Sequence, residues 1–213
     1  VVAHHLVEGR EARQVGGDLY EVLRAAEDRV VVALGDVSGK GIPAALFMAV
    51  TITILRTLAR QFAEPDEILR RLNDELAEQN PRGMFVTLQC LVFDLKQQRV
   101  SCASAGHHQM AVLSTGEPPR LAFHSSGRPA GLMPANPIRC ETRPLTPGDT
   151  FILFSDGVSE AMNPEGEQFG EDRLKDLLVK YGGQPSQEIV ARVMESVEQW
   201  TGSTELQDDM TML

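Results

Sequence analysis

Four places in the 213-residue chain put an aspartate beside glycine or at the edge of an apolar run: Asp18 in GGDLYE, Asp36 in GDVSGKG, Asp156 in FSDGVSE, and Asp208-Asp209 ahead of Met210 to Leu213. A short carboxylate at a strand end, with glycine beside it, lets side-chain and backbone oxygens from separate stretches converge on a small hard cation. Mg²⁺ and Mn²⁺ prefer such carboxylate, carbonyl and water oxygens in octahedral geometry. Taken singly, each site is also an ordinary turn, because Asp bonds its own backbone and Gly takes positive φ. The recurrence of the pattern after apolar runs is what points to metal.

Spacing excludes the rival hydrolytic chemistries. Gly35-Asp36-Val37-Ser38-Gly39-Lys40-Gly41 is no P-loop: three residues separate Gly35 from Gly39, and Gly follows Lys40 where Ser or Thr is required. A thiol phosphatase needs an Arg six residues after its Cys, and those positions hold Lys96, His108 and Thr146. The nearest string to a serine-hydrolase elbow, Asp36-Val37-Ser38-Gly39-Lys40, has Asp where the first Gly belongs. Metal-assisted hydrolysis is left.

The elements that must position these carboxylates follow from periodicity. Val30 to Leu34 is a short apolar run ending at Gly35, which predicts a buried strand with Asp36 at its end. From Pro43 to Leu58 apolar residues fall on every face, predicting a helix that needs cover on more than one side. That cover would be a sheet on one side and, on the other, the next helix, a sensory domain or a second copy of the chain. Glu64-Pro65-Asp66 starts a second helix with an Ile68, Leu69, Leu72, Leu76 stripe, so the two form a hairpin.

Val1 to Val7, Phe85 to Leu95, Arg99 to Ala105, Met110 to Leu113, Ile138 to Arg143, Thr150 to Phe154 and Met210 to Leu213 read as strands. Ser114 to Asn136 reads as Pro- and Gly-rich loop with at most a short strand, and Asp172 to Tyr181 and Ser186 to Trp200 as helices. Helices, then strands, then helices is the order of an α+β protein with antiparallel sheets, not of a βαβ repeat.

Size and charge narrow the function. The length suits one domain spanning 1–213. The formal charge of −10 disfavours nucleic acid and anionic lipid as partners. The run from Gly41 to Leu55, flanked by Lys40 and Arg56, is shorter than a membrane span and predicts a buried helix. Cys90, Cys102 and Cys140, odd in number and in apolar surroundings, predict reduced buried thiols and a cytoplasmic location. Opening on Val1-Val2-Ala3 predicts a piece of a longer signalling protein, with other domains ahead of it.

GGDLYE, GDVSGKG, SAGHHQM, FSDGVSEAMN and DDMTML occur in that order across nearly the whole chain. In this the sequence resembles the PPM, or type 2C, metal-dependent serine/threonine phosphatases, and within them the bacterial RsbU/SpoIIE-like branch. The resemblance implies a four-layer αββα sandwich, two antiparallel sheets flanked by helices, with a dinuclear Mn²⁺ or Mg²⁺ site. It implies that Asp36 bridges both ions, the carbonyl of Val37 completes one sphere, Asp156 and Asp208 hold one ion, and Asp18 holds or orients water on the other. Asp209, adjacent to Asp208, is the second choice for that position. Arg13, five residues before Asp18, matches a phosphate-contacting arginine of eukaryotic members.

The resemblance further implies hydrolysis of phosphoserine or phosphothreonine on a small anti-anti-sigma protein by activated water. It also implies control by an upstream sensory or receiver domain through the first helix and dimer contacts. Either His107, His108 or His124 could serve as general acid, but loop histidines are commonly packed or solvated, so none enters the catalytic set. Two other classes compete: a catalytically weak partner-binding module of the same fold, disfavoured because every matched carboxylate is present, and a two-metal nuclease or nucleotide hydrolase, disfavoured by the acidic charge and the lack of a basic, aromatic strip.

Overall fold

Polar tips and apolar periodicity divide the chain much as expected. The computed structural model describes residues 8–10, 16–78, 80, 82–202 and 208–213. The strand expected over Val1 to Val7 lies outside the described residues, and so does Arg13. β1 (Glu8–Arg10), β2 (Asp18–Ala26) and β3 (Arg29–Val37) precede α1 (Ile42–Gln61) and α2 (Pro65–Glu78). Next come β4 (Val86–Asp94), β5 (Arg99–Ala105), β6 (Met110–Leu113), β7 (Arg120–Ala122), β8 (Cys140–Pro144) and β9 (Thr150–Ile152). The chain closes with α3 (Asp156–Ser159), α4 (Gly170–Tyr181), α5 (Ser186–Thr201) and β10 (Met210–Met212).

Two compact units share these elements. The first, Gly17–Gln109 with Phe123–Thr146, is built on an antiparallel sheet in the order β2-β3-β4-β5-β8. Ala33, Val37, Leu88, Cys90 and Ala103 pack in one core with Ala44, Leu55 and Ala59 of α1 and Ile68, Leu69, Leu72 and Leu76 of α2. Between them in sequence, Leu34 and Leu91 point to the opposite face and are equally buried. A strand buried on both faces cannot alternate, which is why Val30 to Leu34 reads as a continuous apolar run.

The helix hairpin is tied to the sheet by charge as well as packing. Glu21 of β2, almost wholly buried, accepts Arg56 Nε of α1 at 2.6 Å, and Arg99 of β5 donates to Glu64 ahead of α2 at 2.7 Å. In α2, Asp66 and Glu67 occupy the first turn and pair with Arg70 and Arg71 a turn later, suiting both the helix dipole and i,i+4 spacing.

The fully buried α1 expected from its composition is corrected by its exposure. Thr51, Leu55 and Ala59 are buried, but Ile42, Leu46 and Val50 are 74%, 64% and 50% exposed. Only one face of α1 meets the sheet and α2, so the opposite stripe has no cover within this unit. The helix also runs past the apolar segment, and its 20 residues reach the length and hydropathy of a membrane span. Its packed face is that of a core helix.

The second unit comprises Val1–Gly16, Met110–Ala122 and Pro147–Leu213. Its three-stranded β7-β6-β9 sheet continues into the β1-β10 pair, because Leu153 and Leu213 exchange backbone hydrogen bonds at 2.9 Å and Ser155 N–H donates to Thr211 O. Ile152, Phe154, Met210 and Met212 pack with Leu174 and Leu178 of α4 and Ile189, Val193 and Val197 of α5.

β2 and the single-turn α3 go beyond the sequence expectation. β2 carries Glu21 and Arg24 among its apolar residues, which blurs the alternation, and one turn of helix leaves no periodicity to read. The cysteines are free, with Cys90 and Cys102 buried, while Cys140 is half-buried because β8 lies at the sheet edge.

Candidate metal centre

Asp18 and Asp36 are register partners at one end of the β2–β3 ladder. Side chains directly opposite in an antiparallel pair lie on one face with Cβ atoms about 4.5–5.5 Å apart. That face is the one away from α1 and α2, since Val37 and Ala33 point into the helical core. The ladder is extended by one further bond, Val37 N–H to Gly17 O at 3.0 Å, which fixes the backbone on both sides of the carboxylates.

The glycine before Asp36 is demanded by close approach. A Cβ on Gly35 would stand 2.3 Å from the Thr87 carbonyl oxygen of β4. After Asp36, Val37 is buried, and Ser38 is stapled to Phe85 twice: Ser38 N–H donates to Phe85 O at 2.8 Å, and Phe85 N–H donates to Ser38 Oγ at 2.9 Å. The Val37 carbonyl is thus held by an anchored side chain and by bonds on either side of it.

In the other unit, Asp156 is the first residue of α3 and Asp208 and Asp209 immediately precede β10. Ser155, fully buried, joins these segments: its Oγ accepts Thr211 N–H at 2.9 Å and donates to Asp209 O at 3.3 Å. A Cβ on Gly157 would lie 2.0 Å from Asp209 O, so the turn after Asp156 closes directly onto the Asp209 backbone. Asp156 and Asp208 are exposed and Asp209 is 9% exposed. Asp208 Oδ1 accepts the Asp209 N–H, and the Asp209 carboxylate lies against Gly16.

The predicted carboxylates therefore fall into two groups, Asp18 with Asp36 in one unit and Asp156 with Asp208 and Asp209 in the other. Among the described residues no three His, Cys, Asp or Glu side chains form a complete cage. The donor chemistry of the first group nonetheless suits a divalent ion, because like charges directly opposite each other in a ladder are destabilising unless a cation neutralises them. Two residues that sequence reasoning left out also belong to this sheet end. Thr87 is the register partner of Asp36 on β4, and its Oγ1 is 3.0 Å from His107 Nδ1. His107 falls in SAGHHQM, but a lone strand threonine carries no signal of its own.

Residues 26–213 match the family model described as stage II sporulation protein E (SpoIIE). The chain belongs to the SpoIIE family. Phosphoserine phosphatase RsbU of Bacillus subtilis (strain 168) is 28% identical to it over 202 residues, covering 95% of this chain and 59% of RsbU. Protein IcfG of Synechocystis sp. (strain ATCC 27184 / PCC 6803 / Kazusa) is 26% identical over 229 residues, covering 95% of this chain and 36% of IcfG. This SpoIIE-family chain thus spans less than two thirds of either relative. Among solved structures, the SiaA-PP2C domain of Pseudomonas aeruginosa superposes with a TM-score of 0.85 at 22% identity, over 97% of this chain and 83% of that one. That likeness establishes the PP2C fold and with it the α+β class.

Proposed function

We propose that this SpoIIE-family domain is a metal-dependent protein serine/threonine phosphatase that hydrolyses phosphoserine or phosphothreonine on a regulatory protein, an anti-anti-sigma factor in the first instance. The observation that carries the reading is the Asp18–Asp36 pair, two carboxylates held opposite each other at a glycine-bounded sheet end. Similarity to a protein named phosphoserine phosphatase supports the same reaction.

In this reading Asp18, Asp36, Asp156, Asp208 and the Val37 carbonyl would hold two ions, Mn²⁺ or Mg²⁺, with Asp209 as the alternative to Asp208. Such a pair, when bound, lowers the pKa of water and offsets charge on phosphoryl oxygens. Asp36 would serve both ions, as the resemblance to the type 2C phosphatases implies. The buried Ser155 bridge ties the Asp156 turn to the backbone of Asp209, so these carboxylates move as one piece. Arg13 would contact substrate phosphate.

The domain would act as the output module of a longer cytoplasmic signalling protein. The exposed Ile42, Leu46 and Val50 stripe, which follows Asp36 by only a short loop, would then be covered by a second copy of the chain or by an upstream sensory or receiver domain. Light scattering at high concentration tests the dimer, and a monomer counts against it. The reaction is tested by phosphate release from phosphoserine peptides: release should require Mn²⁺ or Mg²⁺ and vanish in Asp36→Asn, and undiminished release in excess chelator refutes it.

A further inference from the structure

We propose that His107, acting through Thr87, is a positioning residue for Asp36. The inference rests on the assignment of Asp36 as a metal ligand and extends it to two residues that assignment does not include. Asp18, Asp36 and Thr87 form one row across β2, β3 and β4, each directly opposite the next. Register partners share a face, so Thr87 and Asp36 are side-chain neighbours on it. Being β-branched, Thr87 is restricted at χ1, which limits where its hydroxyl can point.

The imidazole beyond it is held far more firmly than packing alone requires. His107 is 3% exposed, and its backbone carbonyl accepts Ser104 Oγ at 2.9 Å. The turn before it is built around Gly106 at φ +74, with Pro129 ring atoms 2.6 Å from where a Cβ would sit. Gly106 N–H donates to Ser125 Oγ at 2.9 Å, and the His108 ring stacks on His107 with centroids 4.3 Å apart. A turn restricted to glycine, two hydroxyl bonds and a stacked ring thus fix one nitrogen, Nδ1, at 3.0 Å from Thr87 Oγ1.

A threonine hydroxyl has one proton to give. With Nδ1–H donating to Thr87 Oγ1, the Thr87 O–H is left for another acceptor, and the Asp36 carboxylate is its register neighbour on the shared face. With Nδ1 accepting, the proton is spent on the ring and Asp36 loses a donor. On this proposal His107 carries its proton on Nδ1, and Thr87 passes the orientation on to Asp36. Groups that hold a metal ligand from behind in this way typically change metal affinity about 10–100-fold when removed.

The test is Mn²⁺ binding by calorimetry, with thermal denaturation of the metal-free protein alongside it. Thr87→Val, which keeps the shape and removes the hydroxyl, should weaken Mn²⁺ binding about tenfold or more while the metal-free melting temperature stays close to wild type. Thr87→Ser should restore the affinity, and Thr87→Val should add nothing to the loss in Asp36→Asn. Nitrogen-15 NMR of the wild-type His107 ring should show the proton on Nδ1. Unchanged Mn²⁺ affinity in Thr87→Val, or a proton on Nε2 with Nδ1 bare, overturns the proposal while leaving the metal site intact. Failure of the wild-type domain to bind Mn²⁺ overturns the metal reading itself.

Discussion

Asp18 and Asp36 face each other directly across the β2–β3 ladder, and the pairing is tightened by the Val37 to Gly17 backbone bond one step on. Strands select against such a pairing, because two like charges at this separation repel. Its presence in a sheet end that is otherwise well bonded is the structural feature the proposed chemistry explains.

Substitution of Asp36 by Asn should therefore act with opposite signs in the two states of the protein. Without metal, removing the repulsion stabilises the fold by about 0.2–1 kcal/mol. With Mn²⁺ present, the variant loses the stabilisation that binding confers on the native state alone. Melting curves with and without Mn²⁺ read both effects, and a variant less stable than wild type in metal-free buffer would contradict the pairing argument.

Gly35 and Gly157 hold space rather than conformation. Alanine at Gly35 meets the Thr87 carbonyl at 2.3 Å, and at Gly157 it meets the Asp209 carbonyl at 2.0 Å. Each should destabilise by about 1–3 kcal/mol through displaced backbone. Urea denaturation checks this, and Gly39→Ala is the contrast: there φ is +85 but nothing lies within 4 Å, so strain alone costs about 1–2 kcal/mol.

Leu72 of α2 is fully buried and Leu46 of α1 is mostly exposed. Leu72→Ala should cost about 2–5 kcal/mol. Leu46→Ser should stay within about 0.5 kcal/mol in a monomer. A large loss in Leu46→Ser at high protein concentration, absent on dilution, would be the mark of a covered stripe.

Alkaline pH should weaken the fold through its thiols. Burial raises Cys90 to about 12 and Cys102 well above its ordinary value near 9. The unfolded chain ionises these groups first, so their contribution is complete below about pH 9 and declines as pH rises toward 12. Cys90→Ala should make that decline shallower. In native protein near pH 8, a thiol reagent should modify half-buried Cys140 well before Cys90 or Cys102.

Most of this architecture could be read from the residues because the signals were local. The Ile68, Leu69, Leu72, Leu76 stripe, the turn at Lys96 to Gln98 and the strand that carries Asp36 each have their own period or breaker, and each lies where its pattern predicts. Exposure of Ile42, Leu46 and Val50 could not be read, since composition says that a helix is apolar but not which neighbours it has. The same holds at the sheet end. Asp18 and Asp36 are marked by glycine, whereas Thr87 and the Ser155 bridge acquire meaning only from partners far away in sequence.

Crystals grown with Mn²⁺ and measured at the manganese absorption edge test the central claim most directly. The account predicts anomalous peaks within coordination distance of the Asp36 carboxylate, with Asp18 supplying further oxygens. Peaks confined to other surfaces, with the Asp18 and Asp36 carboxylates contacting no ion at saturating Mn²⁺, would contradict it.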